Sequence, residues 1–158
     1  MARSSSIRRQ LRRFAQIGRR HRALLCEAAI FLALARLSLI LVPFPRLARE
    51  FGAFVAPSDA RAVRAGARRA AEDARLSAEV GWAVTRAARH LPFRAVCLPQ
   101  AMAARAMLKR RGVASVMHFG AVAEGGKDFS PHAWLDAVGV KVTGYPVADA
   151  CVEIGCFV

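Results

Sequence analysis

Two side chains in the sequence, the thiol of Cys97 and the imidazole of His132, have the chemistry of a nucleophile and its base. A thiolate attacks a carbonyl carbon, and an imidazole accepts the thiol proton and returns it to the departing group. Cys97 opens a predicted helix, where unpaired N–H groups and the positive end of the helix dipole favour the thiolate. His132 follows 35 residues later, at the start of a predicted strand. A helix packed on that strand would bring the imidazole to the sulfur.

Each of these residues also has a structural interpretation. A lone cysteine is often a small buried apolar residue, and a histidine on a strand often only completes a hydrogen bond. His118 shares a strand face with Val116 and Gly120 inside an apolar run, which favours a structural role for it. Trp134 lies two residues after His132 and therefore on its face. We expect Trp134 to shield the pair or line a substrate groove, with core packing as the alternative.

Helices come first among the elements that must position the pair. Apolar residues at steps of three and four predict a helix over residues 22–42, and the prolines that follow end it. A second helical stretch, over residues 61–91, is expected to break near Gly66 or Ser77.

Strands follow the helix that Cys97 opens, which is expected to end at Gly112. β-Branched and aromatic residues predict a strand over residues 113–122, and two further short strands flank Gly139 after a polar loop. This order predicts an α+β fold, with N-terminal helices followed by a Cys-bearing helix packed on a small antiparallel sheet.

The length and charge of the chain limit the number of domains and the kinds of partner that we expect. With 158 residues, of which 55% are hydrophobic, we expect a single domain over residues 22–158, preceded by a basic arm at residues 1–21. The chain has 25 Lys and Arg against 11 Asp and Glu, a net charge of +14, which predicts attraction to acidic surfaces. Only Phe14 is aromatic within the arm, whereas nucleic-acid modules interleave aromatic and basic residues. We therefore expect no nucleic-acid partner.

The apolar stretch over residues 23–42 is long enough to span a bilayer, but it carries Glu27 and Arg36. A buried or partly interfacial helix is the better interpretation, and peripheral membrane contact stays open. The four cysteines show no paired CxxC spacing, and Cys151 and Cys156 lack an equally good second pair of ligands. We expect free thiols, no metal, no cofactor and a cytoplasmic protein.

The run from Cys97 to Val142 resembles the lasso-peptide leader peptidases, the B proteins of lasso biosynthesis. The matching elements are Cys97 and Leu98 before an alanine-rich helix, the L-x-R-R-G ending at Gly112, the strand reaching Gly120, and the HAW of residues 132–134. The LPFR before Cys97 and the long apolar helix extend the likeness over most of the chain. The family's fold is similar to that of transglutaminases and papain-like peptidases, with the cysteine on a helix and the histidine on the adjacent sheet.

The resemblance implies that Cys97 is the nucleophile and His132 the base of a cysteine peptidase. Such an enzyme removes the leader from a lasso-peptide precursor before the macrolactam ring closes. The resemblance also implies the stand-alone form of the peptidase and two protein partners, a leader-binding protein and an ATP-dependent lasso cyclase.

The group that orients His132 is open. The family often has an aspartate twelve residues after the histidine, where this chain has glycine. Asp136 shares the strand face of His132 but lies about 13 Å along it, too far for a hydrogen bond. Asp149, the hydroxyl of Thr143 and a backbone carbonyl are the candidates, and a Cys–His dyad without a third side chain is the simplest site.

Two other functions would use the same features differently. One is an acyltransferase on the same Cys–His scaffold. The other is a non-enzymatic basic protein that docks on anionic membrane or nucleic acid, with binding that depends steeply on salt.

Overall fold

The structure is a computed structural model that describes residues 18–60, 71–124 and 128–158. Its helices are α1 (Arg19–Leu41), α2 (Phe44–Glu50), α3 (Ala71–Ala88) and α4 (Cys97–Lys109). Its strands are β1 (Phe54–Val55), β2 (Val116–Glu124), β3 (Asp128–Ala137), β4 (Val140–Thr143) and β5 (Cys151–Phe157). The predicted α+β fold class is therefore confirmed. Residues 1–17 of the expected basic arm lie outside the described residues, and its last residues form the first turn of α1.

Prolines separate the first two helices. α1 ends at Leu41, one residue before the predicted end, and the amide of Val42 donates to the carbonyl of Ser38 at 2.8 Å. Pro43 is the N-cap of α2, and Pro45 lies in its first turn, where the missing N–H has no intrahelical partner to lose. The prolines thus end one helix and begin another, which was not predicted.

The second predicted helix does not break at Ser77. Ser77 lies inside α3, where its hydroxyl donates to the carbonyl of Asp73 at 2.7 Å and is satisfied without leaving the helix. Gly66, the other expected break, lies outside the described residues. Gly81 lets α3 approach β4, because an added Cβ would lie 2.4 Å from the carbonyl oxygen of Val142.

The sheet is antiparallel, with the strand order β1-β5-β2-β3-β4. The predicted meander is β2-β3-β4, and Val138 and Gly139 connect β3 to β4 with positive φ at both residues, as a tight hairpin turn requires. Two expectations were wrong. β3 already begins at Asp128, so part of the expected polar loop is strand. β5 was expected to be irregular, but it pairs along the other edge of β2.

The core lies between the helices and one face of the sheet. Along β3, Ala133, Leu135 and Ala137 are buried in it, and the alternate side chains point to the opposite face. Helix α4 contacts α1, α3, β3 and β4, so it lies at the centre of the core. The helix that begins with Cys97 is therefore held from several sides.

Arg105, two turns along α4 from Cys97, ties three segments together. Its guanidinium donates to the carbonyls of Phe51 at 2.6 Å, Ser115 at 3.0 Å and Phe157 at 3.1 Å. The Phe51 carbonyl directly follows α2, that of Ser115 directly precedes β2, and that of Phe157 is the last of β5. Burial lowers the pKa of Arg105, but the guanidinium stays charged at neutral pH.

We expect Arg105→Met to lower the free energy of unfolding by about 3 kcal/mol, because three carbonyls lose a charged donor in a partly buried place. Urea denaturation measures the change. The matched control is Arg86→Met, which removes an exposed arginine of α3 and should leave the free energy of unfolding nearly unchanged. Equal stability of the two variants would contradict the role given to Arg105.

A second tie joins α1 to the end of α4. Glu27 of α1 accepts hydrogen bonds from Arg111, and Arg110 contacts the same carboxylate at 3.2 Å. The hydrogen bond from Arg111 holds the pKa of Glu27 below its ordinary value, against the opposing effect of burial. The charge inside the apolar stretch is thus paired.

Because the folded-state pKa of Glu27 is lowered, its contribution to stability is present above the unfolded-state pKa and is lost as the pH falls through the folded-state pKa. We expect Glu27→Gln to destabilise the protein by about 1 kcal/mol at neutral pH. The difference from the wild type should shrink as the pH falls below the unfolded-state pKa of about 4.3 and vanish below the lower folded-state pKa. Urea denaturation at several pH values measures this, and a pH-independent difference would contradict the ion pair.

Candidate active site

Cys97 is the first residue of α4, as predicted. The N-cap is Val96, which offers no side-chain acceptor, so the first amides of the helix have no capping side chain. The side-chain amide of Gln100 donates to the carbonyl of Ala95 at 2.7 Å and braces the turn that leads to Cys97. The half-buried thiol thus lies where the positive end of the helix favours a negative sulfur.

His132 lies on β3, in a stretch that β4 does not cover. β4 pairs with β3 only from Ala137 to Leu135, which is opposite Thr143. Beyond that point the chain leaves the sheet edge at Gly144 and turns away. The half-buried imidazole therefore lies beside an open edge.

Cys97 and His132 line one cavity of about 280 Å³. Helix α3 and the chain that follows β4 complete its walls. The other lining residues are Thr85, Gln100, Val142, Thr143, Gly144, Tyr145 and Pro146. The structure thus places the predicted nucleophile and the predicted base in the same small pocket.

A backbone carbonyl orients His132. Its Nε2 lies 2.6 Å from the carbonyl oxygen of Gly144, and because a carbonyl only accepts, Nε2 carries the proton. Gly144 has φ +82, and an added Cβ would lie 2.5 Å from the carbonyl oxygen of Ala133. Gly144, at the position where the lasso leader peptidases that the sequence resembles often have an aspartate, therefore holds the imidazole through its main chain.

The other candidates for this role do not reach the ring. Asp149 is exposed in the turn before β5 and does not line the cavity. The chain pairs in β5 immediately after this turn, so Asp149 cannot be placed as freely as the expected irregular segment would allow. Thr143 lines the cavity, but its hydroxyl is buried and has no hydrogen-bond partner among the described residues.

Trp134, which we expected to shield the pair or line a substrate groove, packs on the imidazole and is not among the residues that line the cavity. Its ring is 7% exposed and lies between two imidazoles, stacked on His132 at 5.9 Å and on His118 at 5.4 Å. Gly120, opposite His132, leaves room for the indole, because an added Cβ would lie 3.1 Å from it. Of the roles expected of Trp134, shielding the imidazole agrees with this stacking, and contact with the substrate stays a prediction.

Tyr145 and Asp136 were not predicted to act together. The Tyr145 hydroxyl donates to the Asp136 carboxylate at 2.6 Å, and Tyr145 follows directly on the glycine that holds His132. Burial, followed by the hydrogen bond to Asp136, raises the pKa of Tyr145, so the phenol stays a donor. Asp136 is too far along the strand to bond His132. Its hydrogen bond with Tyr145 instead holds the segment whose Gly144 carbonyl accepts from His132.

A cluster of possible metal ligands lies on the opposite face of the sheet from the core. Ligand atoms of His118, Glu153 and Cys156 lie within 4.8 Å of one another. His118 Nδ1 already bonds the Glu153 carboxylate at 2.6 Å, and burial raises the pKa of the Cys156 thiol, which favours the neutral form over the thiolate that metals bind. Hydrogen bonding therefore accounts for this group. Spacing alone could not reveal it, because its members lie on two strands.

The sequence matches the Transglutaminase-like superfamily over residues 38–152, a range that contains both Cys97 and His132. No curated protein and no solved structure gave a significant match. The match covers more than half of the chain and agrees with a cysteine-bearing helix packed on an antiparallel sheet. The chain therefore belongs to the transglutaminase-like superfamily.

Proposed function

We propose that this protein is a cysteine peptidase that removes the leader from a lasso-peptide precursor before the ring closes. The observation that supports it best is the cavity that both Cys97, at a helix start, and His132, with Nε2 already engaged, line. The resemblance of residues 97–142 to the lasso leader peptidases supports the substrate class. A leader-binding protein, an ATP-dependent lasso cyclase and a cytoplasmic location belong to the same proposal.

The tautomer of His132 determines the first step. Because Nε2–H donates to the Gly144 carbonyl, Nδ1 keeps the lone pair that can take the thiol proton of Cys97. The sulfur attacks the carbonyl at the leader–core junction, and the amide N–H of Cys97 is the nearest donor for the developing oxyanion. His132 then protonates the departing amine, which leaves a thioester on Cys97. Water hydrolyses that thioester and restores the thiol.

The size of the cavity limits what the chain can recognise near the cut. About 280 Å³ is at the small end of ligand sites, so it accommodates the residues at the junction and not a whole leader. Recognition of the remaining leader is then a task for another surface or another protein. This agrees with the leader-binding partner that the resemblance implies.

The same thioester could be resolved by an amine instead of water, because the fold is shared by cysteine peptidases and acyltransferases. Incubating the precursor with an added primary amine separates the two reactions. Mass spectrometry should find only hydrolysed leader and free core. An amide of the leader with the added amine would favour the acyltransferase.

We expect Cys97→Ala and His132→Ala each to lower leader cleavage by about 10³-fold or more, because each removes a group that bonds to reacting atoms. Mass spectrometry of the precursor over time measures cleavage. Cys26→Ala and His90→Ala, which change an exposed cysteine and an exposed histidine, are the matched controls and should cleave normally. Cleavage that survives in either site variant would refute the mechanism.

Gly144→Ala tests the carbonyl that holds His132. Both the positive φ and the 2.5 Å approach to Ala133 would force this carbonyl to move, so we expect kcat/KM to fall by about 10²-fold. Gly112→Ala is the matched control, because Gly112 also has positive φ, +71, but an added Cβ would meet nothing within 4 Å. The control should lose about 1 kcal/mol of stability and keep its activity. Equal activity of the two variants would rule out the carbonyl as the orienting group.

A further inference from the structure

Helix α1 exposes an apolar face that nothing in the described part of the chain covers. Five large aliphatic side chains on it are half-exposed or more. They are Ile30 (59%), Leu34 (51%), Leu37 (50%), Ile40 (65%) and Leu41 (68%). Mean hydropathy over an 18-residue window of this helix is 2.2, and only 28% of that window is buried. Exposed apolar patches of this extent mark a binding surface.

The exposed side chains form one continuous strip. At about 100° per residue, they fall with Ala23, Cys26 and Ala33 into an arc of about 120°. The strip runs about 27 Å along the helix from Ala23 to Leu41. Arg36 is exposed but lies about 40° outside the arc. The strip, residues 23–41 on this face, is therefore free of charge.

The opposite face of α1 excludes a membrane-spanning position. Leu24, Ala28, Leu32 and Ala35 are buried against the rest of the domain, and Glu27 is paired with Arg111. Lipid cannot replace these neighbours without unfolding the core. The helix can therefore meet a membrane only with its exposed strip, lying parallel to the surface.

The composition of the strip favours lipid over a protein partner. Protein interfaces use aromatic residues and arginine as anchors and form roughly one hydrogen bond per 100–200 Å². The strip has aliphatic side chains and the Cys26 thiol but no aromatic ring, hydroxyl or amide. A surface without hydrogen-bonding or aromatic groups fits lipid acyl chains, which have no such groups at fixed positions.

Positive charge lies at both ends of the strip and favours anionic lipid. Arg19 is exposed at the start of α1, next to Arg20, which is paired with Glu79, and Arg46 and Arg49 are exposed on α2 directly after its end. The whole chain carries a net charge of +14. Arginines that flank an aliphatic helix face attract anionic headgroups while the aliphatic side chains enter the boundary with the acyl chains.

We infer that the strip of α1 binds the surface of an anionic membrane, with the helix lying in the interface and the domain held on the aqueous side. This inference is independent of leader cleavage, because none of the strip residues lines the cavity with Cys97. It predicts a peripheral membrane protein whose binding to vesicles increases with their content of anionic lipid.

Co-sedimentation with vesicles tests the inference. One set contains phosphatidylcholine alone and the other contains phosphatidylglycerol as well, each at low and high salt. The test variant is Leu34→Glu with Leu37→Glu. The matched control is Val152→Glu with Ile154→Glu, which changes two aliphatic residues of β5 with exposures of 70% and 64% and adds the same charge. Thermal unfolding and leader cleavage without vesicles check that both variants fold.

We expect the wild type and the β5 control to bind anionic vesicles, more weakly at high salt, and to bind phosphatidylcholine poorly. The α1 variant should bind at least about tenfold more weakly. Equal vesicle binding by the α1 variant and the wild type would overturn the inference. A wild type that does not bind anionic vesicles would overturn it too. If the α1 variant keeps vesicle binding but no longer self-associates or no longer binds the leader-binding protein, the strip would instead be the contact surface for that second copy or that protein. Failure of vesicle binding with normal leader cleavage refutes only this inference.

Discussion

The site depends on one hydrogen bond, from Nε2 of His132 to the main-chain carbonyl of Gly144. It sets the tautomer and leaves the lone pair on Nδ1. A carbonyl dipole stabilises an imidazolium less than a carboxylate does, so the sulfur has to supply more of the reactivity. Cys97 has the position for that, at the first turn of a helix. In the proposed mechanism, a neutral orienting group and a thiol at a helix start are therefore two parts of one arrangement.

Local patterns predicted the elements that local sequence determines. The Cys97 helix and the hairpin at Gly139 follow from side-chain periodicity and turn residues, and both are present. β5 escaped prediction because the exposed Val152 and Ile154 interrupt its pattern and its pairing shifts register beside Gly120. Asp149 was kept among the candidates to orient His132 for the same reason, since a strand was not expected to restrict it. The Gly144 carbonyl could be listed among the candidates but not selected, because side-chain patterns do not encode where a carbonyl points.

A second group of contacts depends on pairings that are remote in sequence. Asp136 receives the Tyr145 hydroxyl and lies 3.5 Å from His118, whose other nitrogen bonds Glu153. These residues come from β3, the chain after β4, β2 and β5, and they meet only once the sheet has formed. The face of the sheet behind the core therefore carries a hydrogen-bonded polar group beside the small apolar cluster of Val55, Val116 and Cys156. Its hydrogen bonds reach the segment that carries the Gly144 carbonyl.

The position of Trp134 makes it an optical reporter of the site. A protonated imidazole in contact with an excited indole accepts an electron from it and quenches its emission, and Trp134 has an imidazole on each side. The other tryptophan, Trp82, is partly exposed and meets His21 edge-on. With Trp82 replaced by phenylalanine, the emission of the protein would come from the indole beside His132. The charge states of the two imidazoles, His132 among them, could then be followed by fluorescence during turnover, without a label.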